Sequence, residues 1–171
     1  MRMSAEAKDQ SRARIVSAAA RMFRERGIEG ASLGDIMGAA GMTHGGFYRH
    51  FDGKDDLMAA ALAEAFTAFA QGAAADPQAF CNRYLSADHI ASPGNGCPAA
   101  ALGPEVARAS APVRSAFAEG LEQVITGLAA KSGNRDAALR RLSMMLGAVV
   151  LARATGGDLA QEILAAVQEA K

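Results

Sequence analysis

Thr43, His44, Tyr48, Arg49, His50 and Lys54 crowd six polar hydrogen-bonding side chains into a stretch of twelve residues, with Gly45 and Gly46 among them. At 100° per residue on one helix, Phe47 and Phe51 share a face and plug a small core, while Gly45, Gly46 and Arg49 point the opposite way. Tyr48 and His50 fall on the flanks. Thr43 and His44 sit at the amino end, where free backbone N–H groups and the helix dipole favour a phosphate. The pattern suits a polynucleotide. Gly45 and Gly46 let the backbone approach a groove, His44 or Arg49 reach base edges, and Thr43, Tyr48, His50 and Lys54 hold phosphates. Two adjacent glycines cost a helix about 1 kcal/mol each relative to alanine, which suggests that a side chain there would obstruct something. The plain alternative is an ordinary polar face on a helical hairpin.

The flanking elements are those of a helix-turn-helix, in which a second short helix enters the major groove. Ile15, Ala19, Met22 and Phe23 recur at helical spacing in a helix over 11–26, and Gly27 ends it. Ser32 and Asp35 form a capping pair for the next helix, which Gly41 terminates. Thr43 caps a third, ending near Phe51. After Gly53, Asp55 and Asp56 occupy the first turn of a longer helix, where carboxylates favour the dipole.

The remainder reads as further helices: one after Pro77, a loop over 91–98, one over 99–109 that Pro104 should end or kink, one opening at Pro112, and two more capped by Asn134 and by Asp158 with Gln161. About nine helices and no strand define an all-α chain. Three parts follow: a flexible N-terminal arm over 1–10, a helix-turn-helix domain over 11–55, and a helical body over 56–171. Net charge is zero over the 171 residues. Residues 1–55 carry nine Lys/Arg against seven Asp/Glu, and residues 56–171 nine against eleven. That asymmetry has the right sign for DNA but is small. Two cysteines are too few for a secreted disulfide framework. With no apolar run approaching about 20 residues and no signal-peptide core in the first ten, a soluble cytoplasmic protein without membrane contact is expected.

Competing chemistries start from Cys97 and His89. They suggest a thiol nucleophile and base, or, with Cys81, a metal site. Neither spacing matches a recognised local signature, and no phosphate-cradling glycine loop or paired-carboxylate motif is present. No catalysis, metal or cofactor is expected. A helical interaction module that has lost DNA binding is a third possibility.

The run from Gly41 to Met58, preceded by Ala31 to Ile36 and the helix from Ile15 to Gly27, resembles the DNA-binding head of tetracycline-repressor-like (TetR family) regulators over about residues 11–60. The resemblance implies three head helices, a ligand-binding body and a homodimer formed mainly by the last two long helices. Carried over by position, it implies phosphate contact at Ser32, Thr43, Tyr48, His50 and Lys54, and groove contact at His44, Gly45, Gly46 and Arg49. Gly46 departs from the family, which more often has a small residue with a side chain there. Two heads about one helical turn apart can read a palindromic operator in double-stranded DNA, and a dimer clamped on a promoter most simply represses by blocking polymerase; the ligand-binding body that the resemblance implies would take an unknown effector.

In the body, the Leu139, Leu142, Leu146, Val149 and Arg153 stripe, with small Gly147 and Ala148 beside it, suits dimer packing across about 134–170, or else faces the monomer's own core. Phe66, Phe69, Phe80, Tyr84 and Phe117 are candidates to line an apolar effector pocket, although such aromatics are usually core. Gly96-Cys97-Pro98 resembles a segment in a subset of these regulators that sense electrophiles or oxidants. Cys97 near a helix amino end would favour a reactive thiolate; the alternative is a buried, inert thiol.

Overall fold

The structure is a computed structural model and describes residues 5–169. Among them are nine α-helices, two 3-10 turns and no strand, in the order α1 (Ala5–Gly30), α2 (Leu33–Ala39), a 3-10 turn (His44–Arg49), α3 (Lys54–Ala75), α4 (Pro77–Tyr84), α5 (Ala87–Ala91), a second 3-10 turn (Pro93–Asn95), α6 (Pro98–Val106), α7 (Ala111–Ala129), α8 (Arg135–Thr155) and α9 (Gly157–Glu169). The fold is all-α.

Local chemistry accounts for most of these boundaries. Ala5, Ala7 and Lys8 favour helix, and α1 takes in residues 5–10 of the expected arm; residues 1–4 lie outside the described residues. Ser32 Oγ accepts the Asp35 N–H at 3.1 Å and starts α2. Asp76 Oδ1 accepts from Gln78 N and Ala79 N and starts α4, with Pro77 at its first position. Asn134 Oδ1 takes the Ala137 N–H at 2.9 Å and starts α8. The loop expected over 91–98 contains the second 3-10 turn, and α6 runs through Pro104 to end two residues later at Val106.

Helix α3 is the spine. It packs chiefly against α7 and, on another side, against α1. Its 22 residues are long and apolar enough, by length and composition, to cross a bilayer, a run missed when the sequence is scanned for unbroken apolar stretches. Leu57, Met58, Ala61, Leu62, Ala65, Phe66 and Ala73 are instead buried against its neighbours. The α3–α7 approach is close at Gly120, where a Cβ would stand 2.3 Å from the Phe66 ring.

The α8 stripe reads differently in three dimensions. Leu142, Met145, Val149 and Ala152 are buried in the chain's own core, so the Leu142–Val149 line is not a free surface. Leu139 alone of that line is exposed. The opposite arc of α8 carries Leu139, Met144, Val150 and Leu151, from 37% to 54% exposed, around Gly147, whose added Cβ would meet open space. Both arcs are apolar, so periodicity by itself does not say which faces inward.

Candidate nucleic-acid interface

The head is built on Phe47 and Phe51. Both are buried, with rings stacked at 5.7 Å and 25°. They anchor the His44–Arg49 turn on Ile36 and Met37 of α2 and Ile15, Ala19 and Phe23 of α1, all part of one core. Anchoring from below turns the polar side chains outward. Thr43, His44, Gly45, Tyr48 and Arg49 are exposed, and Tyr48 is 68% exposed with its ring edge-on to Phe47 at 5.1 Å. An aromatic so exposed is held up rather than packed in.

The turn is 3-10, not the α-helix expected. At three residues per turn instead of 3.6, angular positions change. His50 comes one turn beneath Phe47 and is half-buried. Gly46 is half-buried too, and a Cβ there would lie 3.6 Å from Met37 Cε and 3.9 Å from Met42 Cε. A side chain at Gly46 would therefore point to the underside of the head, whereas at Gly45 an added Cβ meets nothing within 4 Å. Thr43 occupies the N-cap position but makes no side-chain cap bond, which leaves its hydroxyl for another partner.

The other expected contacts are spread around this turn. Ser32 is exposed beside it, its oxygen accepting one backbone bond and its hydroxyl hydrogen free to donate. Arg26 pairs with Asp35 at 3.6 Å and ties α1 to α2. Lys54 is the first residue of α3, where a cation gains nothing from the helix dipole, so local helix energetics do not explain it. Asp56 Oδ2 accepts the Asp52 N–H at 3.1 Å and caps that turn.

Two residues that the sequence reading left out belong to this surface. The Arg12 guanidinium lies 4.7 Å over the Phe51 ring. Arg12, Lys8 and Arg49 act together on His50, whose ring is held below the ordinary histidine range by burial first and by these three cations second. Its Nδ1 is buried without a hydrogen-bond partner among the described residues. The clue in the sequence was Lys8, in the stretch read as an arm, four residues before Arg12 of the first helix, a spacing that puts both on one face once that helix extends back.

Farther from the head, the five aromatics divide. Phe69, Phe80 and Tyr84 gather, their rings 5.7 to 6.2 Å apart, along an open cavity of about 440 Å3. Phe66 and Phe117 pack edge to face at 5.3 Å between α3 and α7 and take no part in it. Cys97 is buried at the start of α6, and burial pushes its thiol up; Tyr84, the Ala100 and Ala99 N–H groups and Arg153 oppose this less strongly. Arg153 arrives from α8, donating to His89 O at 2.7 Å and Ile90 O at 3.3 Å. His89 is not placed as a base for the thiol. Its Nε2 accepts the Cys97 backbone N–H at 2.9 Å and its Nδ1 lies 2.6 Å from Tyr84 O, so both ring nitrogens are engaged. Cys81 is separately buried, with Arg141 Nε donating to its sulfur at 3.1 Å. Cys97 and His89 thus share one local structure in which both ring nitrogens are bonded to backbone, and Cys81 belongs to another beside Arg141, so the three are not arranged as the thiol–base pair or metal site considered from sequence.

An all-α molecule that presents a short polar turn on an N-terminal helix-turn-helix is of the helix-turn-helix fold class. Residues 15–61 match the family profile described as "Bacterial regulatory proteins, tetR family". The chain is 40% identical over 62 residues to the HTH-type transcriptional regulator TtgR of Pseudomonas putida, a match spanning 36% of this chain and 30% of TtgR. It is 43% identical over 49 residues to AcrR of Shigella flexneri, spanning 29% of this chain and 23% of AcrR. Less than a third of either relative is covered. Among solved structures, reduced Escherichia coli NemR superposes with a TM-score of 0.74 at 22% identity, over 92% of this chain and 95% of that one. A TetR-family regulator from Streptomyces coelicolor gives 0.65 at 26% identity, over 94% and 93%. Through residues 15–61, the chain is similar to the tetR family of bacterial regulatory proteins. The relatives matched are named as transcriptional regulators, not enzymes.

Proposed function

We propose that the protein is a cytoplasmic transcriptional repressor that binds a palindromic operator as a homodimer, with residues 11–55 as the DNA-binding domain and residues 56–171 as the effector-binding and dimerisation body. The carrying observation is the His44–Arg49 turn, seated on buried Phe47 and Phe51 with Thr43, His44, Gly45, Tyr48 and Arg49 turned outward. In this reading Ser32, Thr43, Tyr48, His50 and Lys54 hold phosphates, with Lys8 and Arg12 adding charge behind His50, while His44 and Arg49 address base edges over the open space at Gly45. Repression is the simplest consequence of a dimer clamped on a promoter. Release is assigned to a small molecule bound in the body; the buried Cys97 and its raised thiol favour that signal over a thiol-reactive one.

Selection from a random duplex pool tests this directly. The recovered sequences should be palindromic, bound with a steep inverse dependence on salt. Tyr48→Ala should weaken binding by about tenfold or more, a loss in the range of a charge-free phosphate contact plus its packing. Undiminished binding by Tyr48→Ala would show that the reading face has been misassigned.

A further inference from the structure

Two hydrogen bonds fix the tautomer of His89. Its Nδ1 lies 2.6 Å from Tyr84 O, and a carbonyl oxygen only accepts, so Nδ1 carries the ring proton. Nε2 is then a bare lone pair, and it accepts the Cys97 backbone N–H at 2.9 Å. A doubly protonated ring has no lone pair left and cannot make the second bond. The Cys97 N–H would face another N–H instead.

That bond joins two elements. His89 belongs to α5, and Cys97 holds the N-cap position of α6, so the ring fastens the corner over 92–97 across its ends. The packing there is tight. Gly96 is buried, and a Cβ on it would stand 2.8 Å from both His89 Nε2 and Arg153 Nη2. Gly94 lies in the same corner, and its carbonyl accepts Arg24 Nε of α1 at 2.8 Å, so this is also where the body grips the first helix.

The surroundings resist a charge on the ring. Tyr84 and Phe69 stand 4.6 and 6.1 Å from it, ring to ring. Arg153 comes from α8, and the Cys97 thiol, pushed up by burial, comes from α6 as a neutral group. Asp88 of α5 and Arg83 of α4 line the open cavity beside the ring, opposite in sign and both exposed to water. Burial holds His89 below the ordinary histidine range; the bond to Tyr84 O works against this, and Arg153 adds to it. A ring freed from the corner regains water and the ordinary value of about 6.5. Proton uptake and opening of the corner therefore favour each other.

We propose that His89 is a proton-operated latch. Neutral, it fastens the start of α6 to α5. On taking a proton at Nε2 it gives up the Cys97 N–H, and the corner over 92–97 opens while the helices around it stay folded.

Amide exchange and imidazole nitrogen NMR of the full-length protein, with no DNA present, test the latch. At pH 7.5 the His89 signals should be those of the Nδ1–H tautomer. Between pH 7.5 and 5.5 the protection of the Cys97 amide, corrected for its intrinsic exchange rate, should fall about tenfold, the limit for an open ring that titrates at about 6.5. Urea below the unfolding transition should leave that exchange unchanged while speeding it at buried Leu62 of α3, since a local opening exposes little surface. In His89→Gln the protection of Cys97 should no longer vary with pH. An Nε2–H tautomer, protection that stays constant to pH 5.5, a urea dependence at Cys97 equal to that at Leu62, or an unaltered pH response in His89→Gln would overturn the proposal. The tautomer and the urea comparison need only the wild-type chain, so they decide the matter even where the variant folds poorly.

Discussion

Gly45 and Gly46 are neighbours with opposite surroundings. Gly45 fronts open space, and Gly46 backs onto Met37 and Met42 at ordinary van der Waals distance. Gly46→Ala therefore fits without moving a neighbour and relieves the unfolded chain of some freedom. It should raise stability by up to about 1 kcal/mol in urea denaturation while leaving operator affinity unchanged; a loss of affinity would return Gly46 to the groove face. His50 and His89 share another property: burial holds both below the ordinary histidine range, aided by cations. The unfolded chain then takes up protons that the folded chain refuses. Stability is fully present above about pH 6.5, the unfolded value, and falls as pH drops below it toward the folded values. Urea midpoints from pH 7.5 to 5.5 should show that slope, and His50→Gln should flatten it in part. An unaltered slope in His50→Gln would mean that His50 gains its proton as easily folded as unfolded.

At the scale of elements, the joint between head and body lies at Gly27. Its φ of 78° breaks α1, and the Ile28 N–H freed by the break donates to Glu105 Oε2 of α6 at 2.8 Å. Gly27 also leaves room for that carboxylate, since a Cβ there would sit 2.9 Å from Glu105 Oε1. Arg24 and its bond to Gly94 O make a second tie one turn earlier. Glu105→Ala should cost about 1–2 kcal/mol, as for a lost helix cap, and speed amide exchange at Ile28. Glu105→Gln keeps an acceptor and should cost less. If the Ile28 amide exchanges equally slowly in the alanine variant, the carboxylate is not what holds the joint.

For the whole molecule, the decisive surface is the outer arc of α8. Leu139, Met144, Val150 and Leu151 leave it apolar, with Gly147 letting a second helix come close, and Leu159 of α9 extends it at 52% exposure. Two copies joined there would present two recognition turns to one duplex, as a palindrome requires. Met144→Glu combined with Leu151→Glu should give a helical monomer in sedimentation equilibrium, with operator binding weakened at least about a hundredfold as one head's contacts are lost. A variant that stays dimeric would place the interface elsewhere.

The head was legible before any coordinates because its signals are local. Ser32 with Asp35, Gly41, Gly53 and the Phe47–Phe51 pair act within a few residues of themselves, through caps, breaks and a one-turn hydrophobic spacing. The helical class followed in the same way from propensity and periodicity. Other features were decided only by packing. A one-turn segment is too short for its periodicity to distinguish 3-10 from α, so the placement of Gly46 and His50 waited for the fold. On α8, two apolar arcs are equally periodic, and only the neighbours α7, α6 and α9 determine which is covered. Arg24 to Gly94, Ile28 to Glu105 and Arg153 to His89 join residues 64 to 77 apart in the chain. No propensity encodes such contacts, because their energy exists only once helices distant in sequence have docked and water has left the space between them.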